Sequence, residues 1–166
     1  MSIGYACINM ELSYPQKYGG KERGVNPITT NRTMIRRTFD EKGVDYVSEL
    51  TLQNTKDLNE IISWNVLNGY NFFRLSSGLA PWKTEYEWDD LKDMDEIRQW
   101  FHSAGTMAKT HNVRLTSHPG PFNVLVSPHD HVVDNCIKDL TIHGDEFDMM
   151  GLSRTPYNKI NIHLGG

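Results

Sequence analysis

Residues 95–122 read DEIRQWFHSAGTMAKTHNVRLTSHPGPF, and this stretch decides the fold. Ile97, Trp100, Phe101, Ala104, Met107 and Ala108 recur at helical spacing, so residues 95–110 are predicted to form a helix with one apolar face. After His111-Asn112 the pattern changes. VRLTS at 113–117 is a short, β-rich run that stops at His118-Pro119-Gly120, as a strand of a parallel sheet does.

The same grammar extends outward. Residues 3–8, 71–76 (NFFRLS) and 159–164 (KINIHL) read as three more strands. Residues 55–68 carry Leu58, Ile61, Ile62 and Leu67 at helical spacing, with Gly69 as the C-terminal cap. A further helix is expected at 40–50. Ser127-Pro128 supplies a cap and a first turn for another, striped by Val133, Cys136, Ile137 and Leu140. The order is β-loop-α-α-β-α-β-α-β. Its later strands begin at 71, 113 and 159, so right-handed βαβ units and a parallel α/β sheet are expected. An eight-stranded (β/α) barrel takes about 250 residues, and this chain has 166. Spacing alone leaves a small open sheet or half of a barrel.

Composition sets outer bounds. Hydrophobic residues are 38% and charged residues 23%, the range of a globular domain with a real core. Mean hydropathy is −0.54, and no apolar run reaches the roughly 18 residues of a membrane span. The start, MSIGY, shows no signal peptide, and two cysteines make no disulfide framework. The expectation is a cytoplasmic, nucleoid-associated protein that is not secreted and has no membrane partner. Net charge is −4, against a general nucleic-acid binder, but it is uneven. Residues 16–37 hold six basic side chains and one acid, whereas 85–96 hold seven acids and one base. Each run is either a solvated face or, for the first, a phosphate-binding rim.

In β/α folds chemistry gathers at the C-terminal ends of strands. Those ends here offer Tyr5, Cys7 and Asn9; Ser76-Ser77-Gly78; Ser117-His118-Pro119-Gly120-Pro121-Phe122; and His163-Leu164-Gly165-Gly166. His118 and His163 stand at equivalent ends of successive strands. Adjacent strands are about 4.8 Å apart, so two such imidazoles can share an ion or serve as hydrogen-bonded structural residues. The other histidines (His102, His111, His129, His131 and His143) fall in helices or at their ends and read as surface residues. No Walker loop, GxGxxG or CxxC pattern occurs.

GYACINM (4–10), TTNRT (29–33), FRLSSGLAPW (73–82), RLTSHPGPF (114–122), VSPHD (126–130) and IHLGG (162–166) together resemble the UV damage endonuclease family. The resemblance implies the N-terminal half of a TIM-type barrel, with residues 1–166 forming one incomplete domain of about four strands. It implies metal-dependent hydrolysis of the DNA phosphodiester 5′ to a UV photoproduct or similar lesion, with manganese the expected metal and zinc or magnesium as alternatives. His118 and His163 match metal-binding catalytic residues of the family, and Glu85 stands where a further ligand falls. Tyr5 and Asn9 match residues lining the site near DNA. Arg32, Arg36 and Arg37 are expected to bind phosphate. Pro121 and Phe122 replace a lesion-probing pair of glutamine and an aromatic residue, which leaves the aromatic wedge and removes an amide donor.

The family's remaining ligands come from strands five to eight. The expected partners are therefore damaged double-stranded DNA and a complementary C-terminal half-barrel, without which the chain should not cut. The competing readings are another metal barrel of the xylose-isomerase type, such as an endonuclease IV-like abasic endonuclease or a sugar isomerase, and a non-catalytic half-barrel that pairs with a second chain.

Overall fold

The computed structural model of the chain describes residues 2–15, 17 and 26–162. Three strands, β1 (Gly4–Ala6), β2 (Phe72–Leu75) and β3 (Arg114–Ser117), form one parallel sheet in the order β1-β2-β3. Tyr5 pairs with Phe73, and Phe73 with Leu115. The first three predicted strands are present, each shortened by one to three residues in all. The fourth, expected at 159–164, is not a strand among the described residues. It is a single parallel bridge between Ser117 and Ile160, flanked by Ser117 N–H to Lys159 O (3.1 Å) and Asn161 N–H to Ser117 O (2.9 Å). Residues 163–166, with His163, lie outside the described residues. The architecture shown is thus an α/β fold with a three-stranded parallel sheet.

Among the described residues four α-helices accompany the sheet: α1 (Met10–Ser13), α2 (Arg36–Leu67), α3 (Met94–Thr110) and α4 (Asp130–Met149). The two helices expected at 40–50 and 55–68 are one element. Its break falls at Gly43 (φ 65°), within the first expected helix rather than between the two. Only glycine takes that backbone region at no steric penalty. α2 ends as expected, with Gly69 at φ 76° and Asn68 Nδ2 donating to Trp64 O (2.8 Å).

α3 buries Met94, Ile97, Phe101, Ala104, Gly105 and Ala108. Gly105 permits its approach to the end of α4, since a Cβ there would sit 1.8 Å from Met150 O. α4 starts later than Ser127-Pro128 implied. Its N-cap is His129, whose N–H donates to Ser127 Oγ (3.2 Å), because the hydroxyl caps a turn ahead of the helix. Its buried face also differs from the expected stripe. Ile137 is exposed, while Cys136, Ile142, His143, Glu146 and Phe147 are buried. The core lies between sheet and helices, with Leu58, Ile61, Ile62, Phe73, Leu75, Ile97, Phe101 and Leu115 essentially inaccessible.

Candidate functional site at the strand ends

The C-terminal ends of the strands are tied together by the TTNRT segment. Asn31 Nδ2 donates to Cys7 O (3.2 Å) at the end of β1, and its Oδ1 accepts from Ser76 Oγ just past β2. Arg32 holds this segment to α2. Its guanidinium reaches Asp57 Oδ2 (2.6 Å), Thr29 O (2.6 Å) and Pro27 O (2.7 Å), while its backbone N–H meets Asn54 Oδ1 (3.1 Å). Arg32 therefore clamps the loop. Arg36 pairs with Asp40 (2.9 Å) and Glu85 (3.2 Å) and lies over the Phe39 and Trp82 rings, each 5.4 Å from the centroid. The bond to Glu85, then those to Asp40, raise the Arg36 pKa. Glu85 is thus engaged with Arg36. Arg37 pairs with Glu41 (2.8 Å) and is 82% exposed.

Tyr5 faces α2. Its hydroxyl donates to Asn65 Oδ1 (2.6 Å) and accepts from Asn9 Nδ2 (2.8 Å), and its ring meets Tyr70 and Phe73. Burial raises the Tyr5 pKa to about 12 against the two amide bonds, which lower it. Asn9 is buried and also caps α1 by accepting from Leu12 N–H (3.0 Å).

Past β3, His118 is half-buried and Pro121 exposed. Phe122 is 86% exposed, yet its loop is anchored. Asn123 Nδ2 donates to Gly120 O (3.1 Å) and to Asp139 Oδ2 (2.8 Å) on α4. A hollow of about 400 Å³ beside it is lined by Ser77, Thr84, Gly120, Phe122 and Asn123 among others.

Beneath this loop lies a polar network that the sequence reading missed. His143, read there as a surface residue, is 0% exposed. Lys83 Nζ sits 2.7 Å from His143 Nε2 and 3.3 Å from Asp139 Oδ1. An ammonium has only donors, so Nε2 is the acceptor and Nδ1 carries the proton. Nδ1 then faces Ser117 Oγ (3.0 Å) and Glu146 Oε2 (3.2 Å). The network joins the β2–α3 connection, the last residue of β3 and α4 directly under the residue preceding His118. No periodic signal marks it, because Lys83 and His143 are 60 positions apart. His102, His111, His129 and His131 are exposed, as expected.

Among the described residues no three His, Cys, Asp or Glu side chains form a group able to hold a metal ion. Glu85 is paired with Arg36, and His163, the other expected ligand beside His118, lies outside the described residues.

A parallel α/β layer whose strand ends present an anchored aromatic loop, a half-buried histidine and an arginine rim belongs to the class of folds that work at their strand ends. The chain belongs to the UV-endonuclease UvdE family, whose model matches residues 1–166. It is 33% identical to a UV-damage endonuclease of Schizosaccharomyces pombe over 99% of this chain and 26% of that protein. It is 30% identical to a UV DNA damage endonuclease of Clostridium perfringens, over 100% of this chain and 35% of that protein. The crystal structure of SacUVDE superposes with a TM-score of 0.76 at 27% identity, covering 100% of this chain and 50% of that one. The chain thus spans half or less of these relatives. No helix among the described residues is long and apolar enough to cross a membrane.

Proposed function

We propose that this chain forms the N-terminal half of a TIM-type barrel that incises DNA on the 5′ side of UV photoproducts or similar distorting lesions. The observation that carries the reading is the whole-length family match combined with the form of the strand-end rim. Phe122 projects from a loop held to α4 by the Asn123–Asp139 side-chain bond, the arrangement a wedge needs to enter a base step without collapsing. Arg36 and Arg37 lie on an exposed edge, where phosphates can exchange with their carboxylate partners. Pro121 offers no side-chain donor, so lesion selection rests on shape and unstacking rather than on hydrogen bonds to the base.

The reaction is inferred to depend on a divalent metal, manganese ahead of zinc or magnesium, with His118 as this half's ligand and His163 as a second. Ligands beyond the described residues complete the site, so the purified chain alone is expected not to nick irradiated plasmid. The damaged strand and a complementary half-barrel are its proposed partners, inside the cell and near the nucleoid.

The test is retention of a short duplex before and after UV irradiation. The wild-type chain should hold the irradiated duplex more tightly, and Phe122→Ala should erase that preference while leaving the folded structure intact. Equal retention of both duplexes by the wild-type chain would overturn the proposal. Lesion-dependent nicking by the chain alone, abolished by His118→Ala, would overturn the need for a second half.

A further inference from the structure

The register of the sheet sorts its side chains into two faces. Tyr5, Phe73 and Leu115 align under the helices, followed by Leu75 and Ser117. On the opposite face Gly4, Phe72 and Arg114 align, followed by Ala6, Arg74 and Thr116. Two arginines on the inner face of one small sheet are unusual, and they are treated differently. The Arg114 guanidinium donates to Tyr157 O (2.6 Å) and Pro156 O (3.2 Å). Arg74 has no such outlet. Its Nε is sealed from solvent without a hydrogen-bond partner, and no carboxylate pairs with its guanidinium among the described residues. Thr116, level with it on β3, is buried with its hydroxyl also unpartnered. Buried polar atoms normally find partners, and here two without one, Arg74 Nε and Thr116 Oγ1, stand level on adjacent strands of one face, on an arginine that is only partly buried.

We infer that this inner face is the docking surface for a complementary set of strands carrying an aspartate or glutamate level with Arg74, whose carboxylate receives the guanidinium and lies within reach of Thr116. The inference rests on the half-barrel reading above and adds the chemistry of the partner. A carboxylate, which accepts two parallel bonds, matches the planar fork of donors that arginine presents. A second copy of this chain does not fit. Its inner face would bring a second Arg74 and Arg114 and no acid, so like charges would meet across the interface. The occupant is therefore a different sequence. The size of what is unmatched agrees, since this chain accounts for 50% of the SacUVDE chain.

The experiment uses Arg74→Met, which keeps the length of the side chain and removes its charge. In the chain alone, Tm should hold or rise, because an unmatched buried donor is removed. The chain is then co-expressed with the half of SacUVDE that it does not match, and binding is measured on the purified pair. Wild type should co-purify with that half, Arg74→Met should weaken the association about a hundredfold, and Arg74→Lys should weaken it less. Three results would overturn the inference. A Tm drop of several degrees for Arg74→Met alone would mean that Arg74 serves this chain's own packing. Association unchanged by Arg74→Met would mean that the partner does not read Arg74. Loss of DNA retention by Arg74→Met without the partner half would assign the guanidinium to phosphate. Failure of the wild-type chain to associate at all would instead sink the half-barrel reading on which the inference stands.

Discussion

Phe72 and Phe73 are neighbours on β2 with opposite surroundings. Phe73 is fully buried among the helices, in contact with the Tyr5 ring (5.2 Å between centroids). Phe72 is half-buried under the Arg114 guanidinium (5.8 Å). The contrast extends along the strands. On the helix side Ser117 Oγ meets His143, and Asn65, Asn59 and Glu146, which each leave one atom unpaired, are held by another. On the inner side Arg74 and Thr116 have no side-chain hydrogen bond among the described residues, a condition shared on the helix side by the Thr51 hydroxyl. The chain pairs most of the polar side chains between sheet and helices, whereas the inner face is the one proposed above to meet a partner. Its stability should come almost wholly from the packing of sheet against helices.

The largest effect expected from that comparison is at the two phenylalanines. Phe73→Ala should lose about 3–5 kcal/mol by leaving a cavity in a packed core, whereas Phe72→Ala should lose less than about half as much. Urea unfolding of the two variants checks this, and equal losses would break the comparison. Next come the polar groups. His143→Leu removes the partner of the buried Glu146 Oε2 and one of the two partners of Lys83, and should destabilise by about 3 kcal/mol. Thr116→Val removes an unpaired hydroxyl and should leave stability unchanged or raise it by up to about 1 kcal/mol. A large loss for Thr116→Val would show that the inner face is satisfied within this chain.

A smaller effect is expected at high pH. The folded pKa of Tyr5 is about 12 against an ordinary value of 10.0, chiefly through burial, and burial also raises that of Tyr86. A raised folded pKa means that the native state holds the proton more tightly. The stabilisation is complete below pH 10 and is lost as pH rises from 10 towards 12. Tyr5→Phe should flatten that decline, as read by chemical unfolding at pH 8, 10 and 11. An unchanged slope would place the tyrosine in water rather than in the helix-facing layer. The smallest effect concerns the outer rim. Arg36→Ala combined with Arg37→Ala should leave the unfolding midpoint in place, since exposed ion pairs contribute little. The same double variant should lower the salt slope of DNA binding by about two. A shifted midpoint with an unchanged slope would make the rim structural.

What the sequence determined by itself is local. The three strands, α3 with its apolar stripe, and the glycine that ends α2 were legible because hydrogen-bonding geometry imposes its period on neighbouring residues. The HPGPF turn was legible for the same reason, as a short motif at a strand end. Tertiary structure decided the rest. α2 buries Ser48, Thr51, Asn54, Thr55, Asp57, Asn59 and Asn65 alongside its apolar residues, so hydropathy showed two helices where one kinked helix runs. Asp57, 25 positions away, gives Arg32 a place as a loop clamp that the sequence did not show. His143 looked like any helical histidine until Lys83 and Ser117 were folded over it. In each case a polar side chain is buried because a partner distant in sequence neutralises or bonds it, and no window of neighbouring residues contains that partner.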